Sequence, residues 1–464
     1  MVLVLDSLEN PTFLKRAWCL YEIYLCDKTQ VKFNIAMTPT VYSKVAASLA
    51  ETPNILLTAI RRSHSANSTC SLPSDKHRIL NHFRSSIGFL EMDKLVFFVF
   101  MRWMIPQLAN QISTETDALK RVHLKLSLAS LHVSLSDYEQ ALPLQSQALV
   151  VYNAILGHSM RTYNAMRQLA LTFIEFGKPH EAKPLFLAAA DGMFEFGEDE
   201  DALSILVDLS KCFEMMGKAD QALSLMESVY SRSKILLGWK AELTLCCMKK
   251  LGLLHQRLGN IAETRKLLEE CLQLEMDVLD ADDVEILETL GCLAKFYASH
   301  TFLHERAVET LQELLHRQTS IFGDTHESVL ATLGLLTSVY LDLKRFKDAG
   351  TLCFNTLKLL NQRYGNDHHH SIRWLHELAL CQYRSGNAQE AENLLFESLA
   401  RRNSAGHCHE SLQAYTYLIE IKMRKRDIKE AARLLRDCVT NSTIALGPNH
   451  EFTKMATAKL QAYI

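Results

Sequence analysis

The stretch Glu139–Leu149, EQALPLQSQAL, decides the fold, because the chain repeats it. An Ala, often preceded by Glu or Gln, opens an apolar helix. The arrangement returns as HEAKPLFLAA, DQALSLMESV, AETRKLLEECL, ERAVETLQELL, KDAGTLCFNTL, QEAENLLFESL and KEAARLLRDCV. The key positions are Ala141, Ala182, Ala222, Thr264, Ala307, Ala349, Ala391 and Ala431, spaced 41, 40, 42, 43, 42, 42 and 40 residues apart. Recurrence this regular marks a stacked repeat, in which no single unit can bury its apolar face alone.

The repeating unit is a helical hairpin. Upstream of the key residues lie segments such as MRQLALTFIEF, ILVDLSKCFEMM, MKKLGLLHQRL and TLGLLTSVYLDL, with apolar residues at i, i+3, i+4 and i+7. A turn separates the two helices. Gly177, Gly217, Gly259 and Gly386 each stand five residues before a key position, where a positive φ ends the first helix. A small key residue lets the two helices cross closely. Thr264 fits least well, and Tyr297–Ala307 holds one extra residue in its turn.

Composition narrows the function. The 464 residues are 48% hydrophobic and 22% charged, with a formal net charge of -3, which argues against a general nucleic-acid binder. Twelve cysteines without a CxxC spacing read as reduced, buried thiols of a cytoplasmic protein. No basic segment precedes VLVL, so no signal peptide is expected. The apolar run LVFFVFM, Leu95–Met101, stops at Arg102. It is too short to span a bilayer and reads as a buried strand or core helix.

The hairpins resemble the tetratricopeptide repeat family. The small residues Ala129, Ala170, Gly252, Ala294 and Ala379, the aromatics Phe173, Phe213, Tyr297 and Tyr340, and the key Ala match that family's pattern. The unit here is longer than that family's usual length of about 34 residues. Its tails, including Leu156-Gly157, Leu237-Gly238, Phe322-Gly323 and Tyr364-Gly365, resemble the long repeats of kinesin light chains and nephrocystin-like proteins. The resemblance implies a mainly α chain: a right-handed α-solenoid of about eight hairpins over 117–464, whose first helices line a concave groove. The last segment, HEFTKMATAKLQAYI, would cap it.

Carried across in that register, the groove-facing positions are Asn164, Arg167, Lys211, Glu214, Lys249, Gln256, Lys295, Arg373 and His376. Five are Arg or Lys, which suits an acidic peptide; a solvated helix face with scattered charges is the plain alternative. His368, His369, His370, His407 and His409 cluster near helix starts. Consecutive residues diverge on a helix, so no metal site is expected from them. The loop motif GDTH, GNDHHH, GPNH already accounts for one His in each case.

Residues 1–110 do not follow the repeat. VLVL reads as a strand, RAWCLYEIYLC as a helix, VKFNIAM as a second strand, and YSKVAASLAETPNILLTAI and SDKHRILNHFRSSIGFL as helices. The order β–α–β–α implies a small, incomplete α/β domain. Strand, loop, then R-x-W-C-L-x-E-I is similar to the later half of a TIR-type domain. In members that cleave NAD, the Glu of that helix is catalytic. Here the position is Glu22, with Trp18 on the same face at i and i+4. The first half of such a domain would precede Met1, and catalysis depends mostly on positioning and preorganised electrostatics. Glu22 is therefore either a helix-face residue or an NAD-site acid. No GxGxxG, Walker-type loop or Ser/His/Asp set appears elsewhere, and no cofactor is expected. The expected function is a protein–protein scaffold without nucleic-acid or membrane partners. The alternatives are an NAD-cleaving enzyme and a cargo adaptor like a kinesin light chain, although no heptad segment precedes the repeats. The open edge of the sheet makes self-association a further expectation.

Overall fold

The eight key residues are all sealed: seven alanines and Thr264 are 0 or 1% exposed, as a close helix crossing requires. The Thr264 hydroxyl donates to the Asn260 carbonyl at 2.9 Å, so its polarity is satisfied inside its own helix. The structure is a computed structural model describing residues 2–5, 11–29, 31, 34–38, 65, 68–85, 89–197, 199–280, 283–405, 411–448 and 450–463. The chain divides into two compact units, Met1–Val278 and Leu279–Ile464.

The first unit begins with β1 (Val2–Leu5) paired in parallel with β2 (Asn34–Met37), Val2 opposite Asn34. Between them lies α1 (Ala17–Thr29); α2 (Pro73–Ser85) and α3 (Phe89–Thr114) follow. The LVFFVFM run falls inside α3, with Val96, Phe100 and Met101 buried, so its helical reading holds. Tyr42–Ile60, expected to be helical, lies outside the described residues, as do His407 and His409. The N-terminal core joins Leu5, Phe13, Leu20, Phe83 and Phe100 to Leu124, Leu128 and Leu131, on the helix that opens the repeats.

Four hairpins complete this unit: α4 (Ala118–Ser134) with α5 (Tyr138–Leu156), α6 (Met160–Glu175) with α7 (Pro179–Glu195), α8 (Asp199–Met215) with α9 (Ala219–Leu236), and α10 (Glu242–Arg257) with α11 (Ile261–Val278). The second unit has α12 (Val284–Ala298) with α13 (His304–Phe322), α14 (Glu327–Asp342) with α15 (Phe346–Tyr364), α16 (His369–Arg384) with α17 (Ala388–Ala405), and α18 (Ser411–Arg424) with α19 (Ile428–Leu446). A last helix, α20 (Glu451–Tyr463), packs on α19. In each unit the repeats are a stack of antiparallel helical hairpins, preceded in the first by the small N-terminal α/β part, so the fold is mainly an α-solenoid. Among the described residues no helix is long and apolar enough to cross a membrane.

One turn chemistry recurs. Gly177 has φ +78, and the next residue, Lys178, donates its N–H to Phe173 O at 2.8 Å. This six-to-one bond closes the first helix. In three of the four turns that lack Gly, the chain still adopts the left-handed conformation, at Ser136, Lys344 and Arg426 with φ of 58, 60 and 59. The expected extra residue after Tyr297 appears as a 3-10 turn, Thr301–Leu303. The loop histidines are helix caps. Nδ1 of His326, His368 and His450 accepts the N–H of Ser328, His370 and Phe452 at 3.2, 3.3 and 3.2 Å.

Candidate functional site

A cavity of about 640 Å³ opens between the first helices α4 and α6 and is floored by α5. Two caps fix its walls. Asp117 accepts the Lys120 N–H at 3.0 Å to start α4. Ser159 accepts the Thr162 N–H at 3.3 Å to start α6, while the Thr162 hydroxyl donates to Gly157 O at 2.9 Å. These bonds hold Arg161 in the first turn of α6, at the cavity mouth. The core below is built from Val122, Ala148, Tyr152 and Ala165, of which Tyr152 and Ala165 line the cavity.

The lining mixes apolar residues with polar ones, and some of the polar side chains are uncommitted. Arg161 is exposed and, like the side chains of Asn164 and Gln168, has no hydrogen bond or ion pair among the described residues. Glu175 lines the cavity from the other end of α6, about 21 Å along the helix from Arg161 at 1.5 Å per residue. On the floor, Gln145 is only 6% exposed, and its Oε1 has no hydrogen-bond partner among the described residues. The His123 ring meets the buried Tyr152 ring edge-on at 6.1 Å. Burial first, and the Arg161 charge second, push the His123 pKa down, against a weaker pull upward from Asp117. Burial pushes the Tyr152 phenol up, and Arg161 opposes it.

Gln145 breaks the repeat. Four residues beyond the key position, the other seven hairpins carry Phe186, Met226, Leu268, Leu311, Cys353, Leu395 and Leu435, each no more than 2% exposed. A buried acceptor left unpaired costs about 1–3 kcal/mol. An amide in an otherwise apolar column is thus a local departure from the rule that builds the stack.

The residues expected to line a groove separate into groups. Asn164 lines the cavity, and Lys211, Lys295 and Arg373 are exposed. Gln256 is half-buried on α10. Arg167 is committed: Nε donates to Asp208 Oδ2 and Nη2 to Ser204 Oγ, both at 2.8 Å, tying α6 to α8. Glu214 pairs with Arg257, tying α8 to α10. Two expectations are corrected. Lys249 is 5% exposed, with Nζ 3.9 Å from Glu275 of α11. His376 is 3% exposed, its ring 6.3 Å from Tyr417 of α18. Both stand fifteen residues before a key position, where Val207 is buried too, while Arg167, Cys292 and Gly334 are half-buried and Thr416 is exposed. His123 and Gln145 were missed. Yet His123 stands eighteen residues before Ala141, as Asn164 does before Ala182, so the repeat register points to it.

In the N-terminal part, Glu22 is exposed on α1. Trp18 is 37% exposed and engaged: its Nε1 donates to Asp75 Oδ2 at 3.2 Å, and Arg78 sits 5.6 Å over its ring. Neither residue lines a cavity described here. A separate cavity of about 360 Å³ between α1 and α3 is lined by Ile23, Cys26, Arg102 and Trp103, among others.

Comparison with known proteins agrees with the repeat. Family models described as tetratricopeptide repeat match residues 244–274 and 338–404. No curated protein matches the chain. Among solved structures, the chain is similar to TPR-like repeats from Podosopora anserina in a protein described as a kinesin light chain, at 22% identity, covering 44% of this chain and 96% of that one with a TM-score of 0.41. It is also similar to the quorum sensor NprR of B. thuringiensis, at 14% identity, 87% and 97% coverage and a TM-score of 0.45. A signal transduction ATPase with a tetratricopeptide repeat sensor from Pyrococcus horikoshii matches at 12% identity over 84% of this chain and 52% of that one, with a TM-score of 0.50. This chain carries tetratricopeptide repeats, set in a solenoid of helical hairpins.

Proposed function

We propose that the chain is a protein-interaction scaffold and that the cavity between α4 and α6 is where it takes hold of a partner peptide. The observation that carries this reading is Gln145, an unpaired buried acceptor where seven other hairpins place apolar side chains. Natural proteins break a packing rule mainly at functional sites. Above it, Asn164 and Gln168 offer free amides on a helix face, and an amide can donate to and accept from a peptide backbone at once. The long repeat is of the kinesin-light-chain type, and the Pyrococcus protein's repeats are named a sensor, which suits a binding role. Lys211, Arg167 and Arg161 on neighbouring first helices suit a partner with acidic residues, although Asp208 already neutralises Arg167.

The test is selection of peptides from a random library on the full chain, followed by calorimetry on wild type and on Asn164→Ala with Gln168→Ala. Binding weakened about tenfold or more, or 1.4 kcal/mol, is the expected result. Failure to select any peptide, or equal affinity for the double variant, would sink the reading.

A further inference from the structure

Resting on that reading of the cavity, we propose that the partner group seated there is an oxyanion, a carboxylate or phosphate monoester, held by Arg161, and that its arrival draws a proton from solvent onto His123. Three observations converge. Arg161 is a cation in the first turn of α6 without an ion pair among the described residues. The positive end of a helix dipole disfavours a cation there, so an anion at this point relieves both. The cavity beneath is built, because Gln145 is nine-tenths buried with Oε1 unpartnered. Rotation of the Gln145 amide, whose Oε1 is sealed in the empty cavity, presents that oxygen to a backbone N–H of the bound peptide.

The third observation is the setting of His123. The charged and titratable groups acting on it are Arg161 from α6, Tyr152 from α5 and Asp117 at the start of α4. In the empty cavity, burial and the Arg161 charge favour the neutral ring. An anion beside Arg161 cancels that repulsion and adds an attraction, so binding takes up a fraction of a proton at pH values around the His123 midpoint. By linkage, affinity for the anion rises as pH falls through the His123 titration, and binding raises the midpoint of that titration. No covalent bond changes.

The experiment follows the His123 ring by NMR in the full chain across pH, assigned with His123→Gln. The probes are acetyl-Asp-amide, acetyl-phosphoserine-amide and, as a neutral control, acetyl-Asn-amide. At least one anionic probe should raise the His123 midpoint by about half a unit or more, and the neutral control should not. The probe that acts identifies the source of the oxyanion. In Arg161→Gln the midpoint of the free protein should already be higher, and the anions should move it no further. A midpoint indifferent to both anions, or moved equally in Arg161→Gln, overturns the inference. Selected peptides that bind without acidic residues and without pH dependence would overturn it too, while leaving the scaffold reading intact. Failure to select any peptide would instead remove the reading on which it rests.

Discussion

Replacing Gln145 with Leu should make the chain more stable. The amide Oε1 is buried without a partner among the described residues, and an unsatisfied buried acceptor costs about 1–3 kcal/mol. Leu is larger than Gln by about one methylene, and the open cavity beside the floor takes up the difference. Leu is also what four of the other hairpins already hold at 0–2% exposure in this column, at Leu268, Leu311, Leu395 and Leu435. The expected gain is therefore about 1–3 kcal/mol, read as a higher urea midpoint at unchanged slope. The mirror experiment is Met226→Gln, in the same column of the third hairpin, where Met226 is 0% exposed. It should lose about 2–5 kcal/mol, combining lost apolar burial with a new unpaired amide. A Gln145→Leu chain less stable by about 1 kcal/mol or more would refute the reasoning. The amide would then be making hydrogen bonds that the fold needs, and its place in an apolar column would have a structural cause.

Three other outcomes are expected. Lys344 holds φ +60; Lys344→Gly should stabilise by about 0.5–1 kcal/mol in thermal unfolding, the strain relieved less the entropy of a Gly, while Gly217→Ala, whose new Cβ meets nothing within 4 Å, should lose about 1–2 kcal/mol from backbone strain alone. Glu392 bonds Lys422 at 2.6 Å and Lys425 at 2.7 Å; burial raises its carboxyl pKa, but these two ammonium groups outweigh it and hold the pKa below the ordinary value. Its contribution is then fully present above the unfolded carboxylate pKa and lost as pH falls through the lower folded one, so Glu392→Gln should cost about 1–3 kcal/mol at neutral pH and converge with wild type in acid urea titrations. Glu22 is exposed on α1, so NAD⁺ should be turned over by neither wild type nor Glu22→Gln; turnover lost only in the variant would reassign that helix as catalytic.

The stack was legible because its causes are local. A key residue must be small at each crossing, and a left-handed residue ends seven of the eight first helices. Both recur at fixed offsets, so a period near 42 reveals them even where Lys344 or Arg426 replaces Gly. The N-terminal strands and α1 were legible for the same reason: alternation and apolar runs are short-range signals. The groove was harder. Arg167 finds Asp208 one full repeat away, and Lys249 finds Glu275 in the partner helix of its own hairpin. Such pairings depend on how hairpins stack, which a single helical period does not encode. Gln145 is different. Its signal lay in the sequence all along, as one polar residue in an apolar column, visible once the eight repeats are compared position by position. The TIR-type resemblance of α1 covers too few residues to be tested by periodicity, and Glu22 lies where no cavity described here reaches it.

The central claim is that the cavity floored by Gln145 seats the partner. The most direct measurement is the affinity, by calorimetry, of a peptide selected on the wild-type chain for Gln145→Leu. The account predicts a folded, more stable chain that binds at least about tenfold more weakly, a loss of 1.4 kcal/mol. Unchanged affinity in that stabilised chain would contradict it and place the partner elsewhere on the molecule.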